Sequence, residues 1–105
     1  MKNAYYNVQA AEDLENIFYG LVTWEKHPME LSHIVAYIRD IRKACDNLKK
    51  SSVHKKCTYK DHQQYGTYVL SYRRTASTVW YIIYNIDLKE NIRIEKIINN
   101  YITTV

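Results

Sequence analysis

The sequence predicts an α+β fold of order β-α-α-β-β-β: an N-terminal strand, an antiparallel helical hairpin, then a three-stranded antiparallel meander. Three observations predict it. Apolar residues recur at spacings of three and four from Ala10 to Leu48, the period of helices that bury one face. They alternate, or run unbroken, from Tyr68 to Ile98, the pattern of strands. The chain has 105 residues, enough for one domain over 1–105, and with 2 Gly and 1 Pro it offers no flexible linker.

Taken in order, "KNAYYNVQ" (Lys2–Gln9) mixes Tyr and Val and suits one edge strand. Ala10, Leu14, Ile17, Phe18 and Leu21 then mark one helical face, with Glu12, Asp13 and Glu15 placed in the opening turn, where the helix dipole favours acids. Pro28 suits the first position of a second helix, because its missing N–H would have had no partner there. Leu31, Ile34, Val35, Ile38, Ile41, Cys45 and Leu48 form the stripe of that helix, and Lys49 and Lys50 close it. "SSVHKKCTYKDHQQYG" (Ser51–Gly66) has no period and reads as an irregular loop. Val79 to Ile86 is apolar on both faces apart from Asn85, the mark of a central strand, and "DLKEN" turns the chain into a last strand from Ile92 to Ile98.

Composition excludes several classes. Apolar residues make up 47% and charged residues 25%, with 11 Tyr and 2 Trp, so the chain has the material for a core and is not a disordered tail. Two cysteines are too few for a disulfide scaffold, and Cys45 lies on an apolar stripe. The longest apolar run, Val79–Tyr84, is too short to span a membrane, and no leader-like segment opens the sequence. A soluble cytoplasmic protein with reduced thiols is expected. The net charge of +4 is concentrated: residues 31–74 carry 10 basic and 3 acidic side chains, against 2 and 5 in residues 1–30. Such a band attracts polyanions.

In this order and spacing the chain resembles the RelE/ParE superfamily of bacterial type II toxins, over nearly its whole length. "AAEDLENI" (Ala10–Ile17) is similar to that family's A-x-x-D-L-x-x-I helix, and "YIIYNID…NIRIEKI" to its closing meander. The resemblance implies a growth-arresting toxin held by a cognate antitoxin protein, in what are also called plasmid stabilisation modules. It implies one of two targets, the ribosome with its mRNA or DNA gyrase. RelE-like members are mRNA interferases that cleave message at the ribosome without a metal, and ParE-like members inhibit gyrase without nuclease activity. A toxin-fold protein that only binds a partner is the remaining alternative.

Cleavage of RNA through its own 2′-OH needs a base, cations for the pentavalent phosphorus and an acid for the leaving oxygen. At the position of the family's central-strand arginine this chain has Tyr81, and near its second arginine stands "INN" (Ile98–Asn100). The candidate catalytic residues are therefore His54 and His62 from the loop, with Asp61 as an orienting group, together with Arg73, Arg74 and Tyr81. Lys55, Lys56, Lys60, Arg73 and Arg74 are the candidate nucleic-acid contacts, with Tyr59, Tyr65, Tyr68 and Tyr72 interleaved as stacking surfaces or protein anchors. Arg73 and Arg74 are strand neighbours, so at most one faces a given ligand. No cofactor is expected. His54, Cys57 and His62 invite a zinc reading, but all lie within nine residues of one loop, and no metal is expected either.

Overall fold

Ile82, Ile83 and Tyr84 follow one another on one strand and are all closed to solvent. A strand achieves that when both faces of its sheet are covered. The computed structural model describes residues 2–23 and 29–100. Four strands, β1 (Ala4–Tyr6), β2 (Tyr68–Arg73), β3 (Val79–Ile86) and β4 (Ile92–Asn99), form one sheet in the order β1-β4-β3-β2. β2, β3 and β4 are the antiparallel meander, with β3 central as its unbroken apolar run predicts. β1 joins the far edge parallel to β4, pairing Ala4 with Ile92 and Tyr6 with Ile94.

Two helices, α1 (Val8–Val22) and α2 (Leu31–Asn47), cover one face. Trp80, Ile82 and Tyr84 of β3 and Ile92, Ile94 and Ile97 of β4 pack there against Ala10 and Leu14 of α1 and Ile41, Cys45 and Leu48. Cys45 is a core residue, and burial pushes its thiol up to about 12.

The boundaries differ from expectation for identifiable reasons. The first strand is shorter than Lys2–Gln9 because Asn7 stops it and caps α1. Its side-chain oxygen accepts from the Ala10 N–H at 2.7 Å. The helix thus starts at Val8, and no acid lies in its first turn. Asp13 is not a solvated acid at all: both its oxygens are spent on β4, accepting from the Ile97 backbone N–H and the Lys96 ammonium at 2.9 Å each. The second helix begins at Leu31, and Pro28 lies outside the described residues. Leu31 and Val35 remain exposed, so the buried stripe is narrower than the apolar one. After Asn47 the helix tightens into a 3₁₀ turn, Leu48–Lys50.

The hairpin between β3 and β4 is closed by Asp87, whose side chain accepts from the backbone N–H groups of Lys89 and Asn91. Glu90 there adopts φ 66°, the left-handed region. A bulge follows in β4: Ile83 pairs with Lys96 and Tyr84 with Ile94, which leaves Glu95 as the extra residue.

Candidate functional site

The irregular loop determines where the candidate residues fall. From Ser51 it passes over the outer edge of β2, where Lys56 bridges Tyr68 and the Val69 N–H donates to the Lys55 carbonyl at 2.9 Å. It then lies across the sheet face that the helices leave open. A single helical turn, α3 (Lys60–Gln63), forms its tip. The loop returns at Gly66, which sits so close to β3 that a Cβ there would meet the Ile83 side chain at 3.0 Å and the Tyr84 carbonyl at 3.2 Å.

This crossing separates the two loop histidines by the thickness of the sheet. His54 is on the helix side, its Nδ1 2.8 Å from the Tyr84 hydroxyl and its ring against Tyr68 and Tyr84. His62 is on the open side, packed 4.8 Å from the Tyr81 ring and 5.3 Å from that of Tyr59. They do not meet in one site. Among the described residues, no group of His, Cys, Asp and Glu could hold a metal ion.

The open face therefore carries the candidate site. Tyr81 forms its floor, with Ser71 opposite on β2 and Ile98 opposite on β4. His62 stands over Tyr81, and Arg73 follows Ser71 on the same face at the end of β2. Arg73 is exposed, and its guanidinium donates to the Ala76 carbonyl at 2.9 Å, which holds it beside the face without neutralising it. Burial lowers the His62 pKa, and the neighbouring Asp61 opposes this only in part. His62 is thus neutral near pH 7, the form in which imidazole accepts a proton. Its Nδ1 is buried with no hydrogen-bond partner among the described residues.

Arg74 faces the other way. It donates to Asp40 of α2 at 2.7 Å, and its guanidinium lies 4.0 Å from the Tyr37 ring centroid. The hydrogen bond from Arg74 holds the Asp40 carboxyl below its usual value. Arg74 is a clasp between β2 and α2. The lysines divide as well. The bridge at Tyr68 puts Lys56 on the helix side, whereas Lys55 shares the side of Cys57, and Lys60 opens α3. All three are exposed. Tyr68 and Tyr72 pack into the helix-side core, so Tyr59 and Tyr65 are the tyrosines left near the site.

Some polar residues that shape this face escaped the sequence reading. Lys96 carries the right charge on the open face, but its ammonium is bound to Asp13 and lies 5.4 Å from the Tyr65 ring. Glu95 on the bulge is tied by Asn7 at 2.7 Å, Asn85 at 2.6 Å and Arg93 at 3.1 Å. The A-x-x-D spacing of Ala10 and Asp13 was the available signal for the first of these. It placed Asp13 on the same side of α1 as the buried Ala10, where a carboxylate needs a partner.

No protein-family model, no curated protein and no solved structure matches this chain.

Proposed function

We propose that this protein is the toxin of a bacterial type II toxin–antitoxin module and that it arrests growth by cleaving mRNA at the ribosome. The observation that carries this reading is the arrangement on the open face: a neutral His62 on Tyr81, with the exposed cation of Arg73 alongside. In the proposed reaction His62 takes the 2′-OH proton and the 2′ oxygen attacks the adjacent phosphorus. Arg73 stabilises the pentavalent phosphorus, and the Tyr81 hydroxyl protonates the leaving 5′ oxygen. The products are a 2′,3′-cyclic phosphate and a 5′-OH, and no metal enters. Lys55 and Lys60 add charge along the backbone of the message. A cognate antitoxin holds the toxin inactive in the cytoplasm. Among the described residues no helix is long and apolar enough to cross a membrane.

Gyrase inhibition is the second reading, favoured by one observation: Tyr81 stands where the resemblance calls for an arginine, and Ile98–Asn100, beginning opposite Tyr81 on β4, stands near where it calls for a second. Pulse-labelling after induction in bacteria separates the two. On the cleavage reading, protein synthesis falls within minutes while DNA synthesis continues, and Tyr81→Phe abolishes the fall. A prior fall in DNA synthesis assigns the protein to gyrase. Continued growth with all three syntheses intact removes the toxin reading.

A further inference from the structure

We propose that residues 57–66 form a strap that swings off the open sheet face as a unit when His62 takes up a proton, so that acid uncovers the cluster beneath it. The strap is closed at its base and tied to β3 there: the Cys57 N–H donates to the Thr67 carbonyl and the Thr67 N–H to the Asn85 side chain, each at 2.9 Å. Beyond that base its tip meets the sheet through rings, His62 on Tyr81 and Tyr65 over Lys96. Internal bonds make the tip one body. Gln63 donates to the Cys57 carbonyl at 3.1 Å, and the N–H groups of Tyr65 and Gly66 both donate to the His62 carbonyl. Beneath it lie Val69 and Ile83, which with Cys57 at the anchored root of the strap form a small apolar cluster separate from the main core.

The latch is His62, only 5% exposed, with a ring nitrogen that has no partner among the described residues. With no phosphate bound at the face, a proton added there has no acceptor while the ring stays in place, and a buried cation without a partner is expelled to water. The groups facing it are few. The phenol rings of Tyr59 and Tyr81 flank it, Asp61 and Lys60 share its turn, and Arg73 lies on the same face of β2. Asp61 favours the proton, but less than burial disfavours it. A histidine whose pKa is lower in the closed state stabilises closure above its ordinary value near 6.5. That contribution fades as pH falls through 6.5 towards the closed-state value.

Cys57 reports the motion. Its side chain is buried at the root of the strap against Val69 and Ile83, and Cys45, buried under the helices, is the control in the same molecule. The full chain is treated with a pyridyl disulfide from about pH 7.5 to about pH 5, rates are normalised to the denatured protein, and each cysteine is followed by mass spectrometry. Cys57 is expected to react about tenfold faster at the acid end relative to that standard, with Cys45 unchanged. His62→Phe, which fills the slot with a ring that cannot titrate, flattens the Cys57 profile, and Asp61→Asn, which removes the group favouring the proton in the closed state, enlarges the rise and extends it to lower pH. Equal protection of Cys57 across the range overturns the proposal. So does a simultaneous rise at Cys45, or a pH dependence that survives His62→Phe. The labelling requires no toxicity, so its result stands apart from the assignment of function.

Discussion

The two faces of the sheet are built on different terms. On the helix side, side chains from α1, α2 and three strands close over Ile82, Tyr84 and Ile94. Even the polar groups there are committed: the Trp80 indole donates to the Tyr37 hydroxyl at 2.9 Å, and Arg74 is held by Asp40. On the open side one loop covers three buried apolar residues, leaving Tyr81 partly covered and Arg73 in solvent. Stability thus resides mainly on one face, and the other is left with a small cluster and exposed polar groups. This division is economical for a chain of 105 residues, since one well-filled core leaves the second face free of packing duties.

The contrast can be broken most severely at two adjacent residues that point to opposite sides. Ile82→Ala, which hollows the helix-side core, is expected to cost about 4 kcal/mol, and Ile83→Ala about 2 kcal/mol, because the strap can settle into the smaller gap. Urea unfolding of the two variants measures this, and equal losses would mean that the loop packs as rigidly as the helices.

Arg73 and Arg74 sharpen the same contrast through function. On the cleavage reading, Arg73→Ala should leave the unfolding midpoint unchanged and weaken translation arrest roughly ten- to a hundredfold, the worth of one charged hydrogen bond to phosphate. Arg74→Ala should do the opposite, lowering the midpoint while the arrest survives at permissive temperature. If both variants lose arrest and keep stability, the face assignment of Arg74 fails.

The smallest effect concerns the histidine that stays on the helix side. Tyr84→Phe removes the partner of His54 and should cost about 1 kcal/mol, with no change in arrest. Burial has already pushed the Tyr84 hydroxyl up to about 12, so it stays un-ionised across the working range. Thermal unfolding and pulse-labelling on one preparation check both statements, and a loss of arrest would bring His54 back into the chemistry.

Local pattern reached a long way into this fold. The unbroken run from Val79 to Tyr84 announces a strand covered on both sides, and it is the central one of the meander. The alternation of β2 foretold that Arg73 and Arg74 part company. Periodicity also marked Ile34, Ile41 and Cys45 as buried, because a helix that packs on a sheet must repeat its apolar residues every three or four positions.

Tertiary structure alone decided which side each candidate serves. Nothing in the aperiodic stretch from Ser51 to Gly66 states that it crosses the edge of β2 between His54 and His62. That crossing rests on long-range backbone pairing, to which a loop sequence carries no period. The parallel docking of β1 on β4, the bulge at Glu95 and the capture of Lys96 by Asp13 likewise join residues about 80 or more positions apart, or depend on such a junction. The sequence by itself determined the elements and their apolar faces, since those follow from neighbours within a turn or a strand. The site was decided by which distant elements compete for the same buried surface and the same hydrogen bonds, and that competition is settled only when the chain closes on itself.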